Sequence, residues 1–298
     1  MSTPSSSSSE LKQEFTTKGY VIVPSLISPT QFPLLKQAAE DVINKTRSGA
    51  WLSRRTVGRQ FPPFDEEGPL DAWGVQHIMH PDLGESGKVF GEWYTSDGLV
   101  GVARELLGCG EGELQMELFN LLINPISHSF ALRWHRDDVR EGASEEEERE
   151  ALGLWHHGVQ WNTALYEDSC LFVVPGSHSQ PRTPEQRLLS STQEPPKDPM
   201  DMPGAIRVTL KPGETVFYNN NILHCATYDP TSTRATLHGC MGDIRGGSTR
   251  ARNILQHGLA WMEEERFRDT LSPRGQRMLR NLVEMKAGVK EVGYSQVN

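Results

Sequence analysis

Residues 159–178 read Val159-Gln160-Trp161-Asn162-Thr163-Ala164-Leu165-Tyr166-Glu167-Asp168-Ser169-Cys170-Leu171-Phe172-Val173-Val174-Pro175-Gly176-Ser177-His178. Two apolar runs of strand length, Val159–Tyr166 and Cys170–Val174, are split by a polar corner, and Pro175-Gly176 closes the second. The same texture extends in both directions. Upstream, Leu114–Ile123 reads as a strand ended by Asn124-Pro125, and Phe130–Trp134 as the next. Downstream come Ala205–Leu210, Glu214–Tyr218 and Thr233–Cys240, punctuated by Lys211-Pro212-Gly213 and Asp229-Pro230. Many short strands with such turns predict an all-β barrel or jelly roll, with a β core over about residues 113–242.

Helices flank this core. Leu11–Lys18 reads as a short helix, followed by a strand at Gly19–Val23 that Pro24 closes. Ser28-Pro29-Thr30 opens a helix to about Arg47, with apolar positions at Phe32, Leu35, Ala38, Ala39, Val42 and Ile43 forming one stripe. A helix covers Asp97–Leu107, and two more follow the core at about Thr249–Phe267 and Pro273–Ala287. Residues 50–96 lack a clean period and read as a long irregular segment. The glutamate-rich insert at 141–150 reads as a solvated loop or helix face. Residues 179–204, rich in proline, read as a crossover or lid. The domain plan is a disordered tail over 1–10 and one domain over 11–290.

The chain has 298 residues and a formal net charge of -9. That acidity argues against nucleic acid as a partner, because phosphate binding needs a basic surface. No apolar run reaches the length of a membrane span. The serine-rich start lacks the charged-then-apolar order of a secretory signal. The four cysteines, Cys109, Cys170, Cys225 and Cys240, form no C-x-x-C pair and read as reduced thiols of a cytoplasmic protein. The sequence sets no oligomeric state.

The candidate chemistry lies in Leu132-Arg133-Trp134-His135-Arg136-Asp137-Asp138 and, far downstream, in Tyr218-Asn219-Asn220-Asn221-Ile222-Leu223-His224 and Arg234. On a strand, alternation places His135 and Asp137 on one face. A distant histidine completes a 2-His-1-carboxylate set that holds Fe(II) and leaves open positions. Arg234 supplies a cationic fork for a carboxylate. The plainer alternative is a partly buried His135 hydrogen-bonded to Asp137 or to a backbone carbonyl.

Trp161–His178, together with His135-Arg136-Asp137, the run Leu210-Lys211-Pro212-Gly213-Glu214-Thr215-Val216-Phe217-Tyr218, and His224 with Arg234, resembles the phytanoyl-CoA dioxygenase-like family of Fe(II)/2-oxoglutarate oxygenases. Gly19–Pro24 and its helix are similar to the family's start. The resemblance spans most of residues 11–265. It implies a double-stranded β-helix (jelly-roll, cupin-like) core, mainly β with flanking helices. It implies His135, Asp137 and His224 as iron ligands and Arg234 as partner of the distal carboxylate of 2-oxoglutarate. Thr236, two residues on, is expected to add a hydroxyl there. The implied reaction consumes O2 and 2-oxoglutarate, releases succinate and CO2, and oxidises a C–H bond of a small-molecule substrate. Asp137 favours hydroxylation over halogenation, since related halogenases carry a small residue in its place.

A zinc-dependent cupin-like isomerase or hydrolase needs the triad but not Arg234, and a non-catalytic barrel needs neither. The substrate class stays open among a small metabolite, an acyl-CoA and a natural product. Arg54, Arg55 and Arg59, the early cations an acyl-CoA would require, read as solvated loop charges. Substrate choice is expected in segments 50–80, 138–158 and 179–204, with Trp51, Phe61, Phe64 and Trp73 walling an apolar pocket. His77, His80, His128, His238 and His257 carry no expected role, His178 reads as structural, and His156-His157 mark a possible mouth.

Overall fold

A computed structural model describes residues 9–62, 70–155 and 157–289. The serine-rich start up to Ser8, Phe64 and His156 lie outside them. Elements are numbered in chain order. Two antiparallel sheets face each other. The larger runs β1 (Tyr20–Val23), β9 (Thr215–Tyr218), β6 (Gly158–Ala164), β11 (Ala235–Asp243), β4 (Leu114–Ile123), β3 (Ala72–Val75) and β2 (Arg54–Thr56). The smaller runs β5 (Phe130–Ala131), β10 (His224–Tyr228), β7 (Asp168–Val173) and β8 (Ile206–Leu210). The quoted stretch is therefore split between sheets, with β6 central in one and β7 in the other. This is the double-stranded β-helix core.

The ten residues of β4 are buried throughout. Leu118 and Leu122 look into the cavity between the sheets, while Met116, Phe119, Leu121 and Ile123 join the main core. Helices α2 (Gln31–Arg47), α3 (Glu85–Tyr94), α4 (Asp97–Leu107) and α9 (Pro273–Ala287) cover that outer face. A bulge between Gly239 and Met241 leaves Cys240 without a β4 partner. The buried Tyr94 hydroxyl fills the gap, donating to the Cys240 carbonyl at 2.7 Å and accepting from the Glu117 N–H at 2.9 Å. A Cβ on Gly239 would stand 2.6 Å from the Trp161 ring, so the strand needs glycine at this crossing.

Three expectations are corrected. The described residues of the segment 50–96 are not irregular: they carry β2, β3 and α3. Helix α3 escapes a propensity reading because Gly87 and Gly91 interrupt it, yet a Cβ on Gly87 would lie 2.7 Å from the His80 carbonyl, a close approach that favours glycine. The helix expected over Thr249–Phe267 is broken into α7 (Gly247–Leu255), a 3-10 turn at Leu259–Glu263 and α8 (Glu265–Arg268), with Gly258 left-handed at φ 69° between them.

The glutamate-rich insert is also more than a solvated face. It forms α5 (Glu145–Leu152), N-capped by Ser144, and its Glu148 side chain is wholly buried. Glu148 accepts from Arg182 Nε at 2.5 Å and from Arg187 Nη2 at 2.6 Å, with Arg136 Nε 3.7 Å away. Removing the carboxylate strands buried cations, so Glu148→Ala is expected to cost about 3–5 kcal/mol, read as the fall in unfolding free energy in urea. A loss under about 1 kcal/mol, the range of an exposed pair, would return this residue to the surface.

Candidate active site

His135 is not on a regular strand. Strand β5 ends at Ala131, and His135 makes one isolated bridge to His224, the first residue of β10. Each backbone N–H of this pair donates to the other's carbonyl at 3.0 Å, and the Asp137 N–H donates to the Asn220 carbonyl at 3.0 Å. These cross-links, rather than continuous strand alternation, hold the three side chains together. Arg136, between two of them, turns away from the cavity and donates from Nη1 to the Ser177 and Asn221 carbonyls. It thereby ties the loop before His224 to the Pro175–His178 turn.

The His135 and His224 rings lie 4.2 Å apart, centroid to centroid. Asp137 Oδ1 is 3.7 Å from His135 Nε2 and 3.9 Å from His224 Nε2, and each residue offers one ligand atom within 4.8 Å of the others. The remaining polar atoms of the trio are committed elsewhere. His135 Nδ1 sits 2.7 Å from the Arg133 carbonyl, and His224 Nδ1 2.8 Å from the Ile222 carbonyl. Those contacts select the Nδ1–H tautomer and leave each Nε2 lone pair facing the centre. Gln160 Nε2 donates to Asp137 Oδ2 at 2.6 Å, leaving Oδ1 to the centre. Burial, reinforced by His224, holds the His135 imidazolium well below its ordinary range, so the ring is in the neutral, ligating form. Burial pushes the Asp137 carboxyl up, against the opposing pull of His224. Two imidazole nitrogens and one carboxylate oxygen, each oriented from behind, fit a divalent transition metal with open positions.

The trio opens into a cavity between the sheets. Arg234, just before β11, enters its wall with 3 % exposure. Its Nε donates to Asp168 Oδ2 at 3.0 Å and its guanidinium lies 4.6 Å above the Tyr228 ring. Nη1 and Nη2 are buried and carry no hydrogen bond among the described residues. A buried guanidinium fork with two unsatisfied donors has the geometry to take a carboxylate. Burial disfavours the Arg234 charge, but Asp168 outweighs it and raises the pKa further.

Thr236 is engaged by a neighbouring acid. Its hydroxyl donates to Asp168 Oδ2, the oxygen that also holds Arg234, so in this structure it supports the carboxylate behind the arginine. Asp168 was not singled out in the sequence. In the sequence it stands in a polar corner before Cys170, where nothing local marks it; only the fold buries it at the start of β7 beside Arg234.

The lid expectation is also redistributed. Gln60, Phe61 and Pro62 line the cavity; Phe61 meets the His135 ring edge-on at 5.1 Å. Gln60 accepts from the Arg133 N–H at 2.7 Å and stands 3.2 Å from His135 Nδ1. Among the described residues, none from 138–158 or 179–204 lines this cavity. His157 contacts Asp243, His178 contacts the Thr16 carbonyl, and neither forms a mouth. Arg55, His238, Gln256 and His257 do line it, against the expectation of a solvated arginine and idle histidines.

Trp73 both lines the cavity and belongs to the core. It is 1 % exposed, its Nε1 donates to the Thr56 carbonyl at 2.9 Å, and its ring sits 5.2 Å from Tyr228. Trp73→Ala is therefore expected to cost about 3–5 kcal/mol of stability, so uncoupled 2-oxoglutarate decarboxylation and substrate oxidation fall together. Retention of the wild-type urea midpoint would restore a lid role.

A search of curated proteins finds no match. Among solved structures, the chain is similar to AviO1 from Streptomyces viridochromogenes Tue57, with 16% identity over 81% of this chain and 97% of that one and a TM-score of 0.56. It is similar to EctD from S. alaskensis with bound Fe, with 19% identity over 79% and 76% of the two chains and a TM-score of 0.55. The α-ketoglutarate-dependent carbocyclase SnoK from nogalamycin biosynthesis shares 20% identity over 79% and 83%, with a TM-score of 0.51. These likenesses fix the fold. The family model described as phytanoyl-CoA dioxygenase matches residues 15–234, a span that takes in β1, the His-x-Asp pair, His224 and Arg234; the chain belongs to the phytanoyl-CoA dioxygenase family of Fe(II)/2-oxoglutarate-dependent oxygenases.

Proposed function

We propose that this protein hydroxylates a C–H bond of a small organic molecule, with His135, Asp137 and His224 holding Fe(II) and Arg234 binding the distal carboxylate of 2-oxoglutarate. The observation that carries this reading is the pairing of two features across one cavity. Nε2, Oδ1 and Nε2 converge at one end, and a buried arginine with two unused donors stands in its wall. A zinc hydrolase has no use for the second feature. Solved structures of the similar EctD carry Fe, or 2-oxoglutarate with 5-hydroxyectoine, which supports the same cofactor pair here.

Bound Fe(II) with 2-oxoglutarate supplies the oxidising chemistry: the oxo acid is split to succinate and CO2 while O2 is consumed and a substrate C–H bond is oxidised. The protein's own residues do the positioning. The Arg133 and Ile222 carbonyls and Gln160 fix the three ligands. Asp168 and Thr236 brace Arg234 from behind, so its fork meets a carboxylate without reorganising. Phe61, Trp73, Leu122 and Tyr228 give the cavity apolar walls that exclude water. Asp137 occupies the position a halide would need, which supports hydroxylation over halogenation.

The same reading takes residues 11–290 as one oxygenase domain. Its acidic charge supports a small-molecule partner over nucleic acid. No helix among the described residues is long and apolar enough to cross a membrane. All four cysteines are free thiols, in keeping with a cytoplasmic setting. The test is succinate formation from 2-oxoglutarate with Fe(II) across a panel of small metabolites, natural-product scaffolds and acyl-CoAs. Stimulation by one class supports the proposal. Failure to bind 2-oxoglutarate in the presence of Fe(II) would sink it.

A further inference from the structure

We infer that Tyr218 is a further cosubstrate-binding residue, and that its hydroxyl donates a hydrogen bond to the 2-oxo-acid end of 2-oxoglutarate. The inference rests on the cofactor assignment above and adds a donor that neither the trio nor Arg234 supplies.

Tyr218 closes β9 and is 2 % exposed, yet it lines the cavity. Its ring is conventionally packed. It meets the His224 ring at 5.6 Å between centroids and lies in a cluster with Ala164, Leu171, Val173 and Ile222. Phenylalanine would fill that space equally well. The hydroxyl is the part that needs a reason, because it makes no hydrogen bond among the described residues. A buried hydroxyl without a partner is destabilising relative to the plain ring. Folding alone therefore gives no use for this oxygen, and a ligand in the cavity does.

The sheet register places Tyr218 at the iron end. It pairs with Gln160 across β9 and β6, and directly opposed residues share one face of a sheet. Gln160 is the residue that holds Asp137 Oδ2. Thr236, which braces Asp168 behind Arg234, pairs instead with Ala164, four residues further along β6 and roughly 13 Å away. Tyr218 thus starts level with the trio. The charges of Asp137 and Arg234 both act on its hydroxyl, so that oxygen is within electrostatic reach of both ends of the span that 2-oxoglutarate has to bridge.

The chemistry fits a donor here. A 2-oxo acid held by a metal keeps carboxylate lone pairs that the metal does not use, and in a buried cavity those lone pairs need donors. Gln160 and the Nδ1 atoms of His135 and His224 are already committed. A phenol is a donor at neutral pH, and burial, reinforced by the Asp137 carboxylate, raises the Tyr218 pKa well above its ordinary value.

The test uses the full chain with Fe(II) under anaerobic conditions and calorimetric titration with two probes. One is 2-oxoglutarate; the other is 2-oxopentanoate, which keeps the oxo-acid end and lacks the distal carboxylate. Tyr218→Phe should weaken both by the same factor, about tenfold or more, as expected for one lost hydrogen bond to a charged group. Its affinity for Co(II) should stay within about twofold of wild type. Tyr20→Phe makes the same change on β1, at the residue that pairs with Tyr218 and packs on the same cluster, and should leave both probes within about twofold. Equal binding of the probes by Tyr218→Phe and wild type overturns the inference, as does a matching loss in Tyr20→Phe. Weakening of 2-oxoglutarate alone moves the hydroxyl to the distal carboxylate, and a loss of Co(II) affinity makes it a support of the trio; either result also overturns it. A wild-type protein that binds no 2-oxoglutarate overturns the oxygenase reading itself, so the two failures are distinguishable.

Discussion

Asp137→Ala is expected to abolish Fe(II)-dependent consumption of 2-oxoglutarate and to weaken divalent-metal binding by about 100-fold or more, since ligand loss exceeds the 10- to 100-fold cost of losing an outer partner. Asp137 contributes the trio's only carboxylate, and its Oδ1 lies within 4 Å of both imidazole Nε2 atoms. Gln160 would be left with an unpaired amide donor but no new ligand. His135→Ala and His224→Ala should behave alike, because each removes a nitrogen that a backbone carbonyl has already oriented. Binding of Fe(II) or Co(II) by calorimetry separates this loss from a folding defect, which circular dichroism tracks in parallel. Near wild-type turnover in any of the three variants would dismantle the proposed ligand set.

Arg234→Lys should raise the KM for 2-oxoglutarate more than about tenfold with a smaller change in kcat. A lysine ammonium cannot place two parallel donors on a carboxylate, and it forfeits the contact with the Tyr228 ring. Asp168→Asn tests the brace. Arg234 keeps its place but loses the charge that holds it, so 2-oxoglutarate affinity should fall and the stranded buried cation should lower stability. Burial raises the Asp168 carboxyl, but Arg234, Thr236 and the Cys170 N–H overcome this and hold it below its ordinary 3.8. A depressed native pKa contributes stability above the unfolded value and loses it as pH falls toward the native one. The wild-type protein should therefore lose this contribution on acidification below about pH 4, the unfolded aspartate value, and Asp168→Asn should flatten that limb of the stability–pH curve. An unchanged KM in Arg234→Lys would place the cosubstrate carboxylate elsewhere.

Much of this architecture was legible because its determinants are local or periodic. Seven apolar residues among the ten of β4 announce a buried strand. The stripe from Phe32 to Ile43 announces α2, and the Pro-Gly corners announce the turns of a β core. The order His-x-Asp, then His, then Arg carries chemistry that few other residue sets support. The errors have a common origin. Gly87 and Gly91 hide α3, since their use lies in a close approach to the His80 carbonyl rather than in helix propensity. Glu148 sits in a run of identical neighbours, and only the arrival of Arg182, just before α6 (Pro184–Ser190), and of Arg187, within it, distinguishes it. The Thr236–Asp168 contact is likewise invisible in the sequence, because Asp168 reaches Thr236 from the opposite sheet.

The sequence by itself determined the kind of chemistry and the two-sheet core, because donor type, alternation and turn residues act over a few positions of chain. Tertiary structure alone decided what fills the cavity wall. Arg55, His238 and His257 are separated by more than 180 positions between the first and second of them, and nothing local marks any of the three. They line one cavity because β2 and β11 belong to one sheet, because Gly74 yields space to the Arg55 stem, and because the chain after α7 brings His257 to the same wall. Burial then gives them their neutral or constrained states, a property of the folded environment that no stretch of sequence carries.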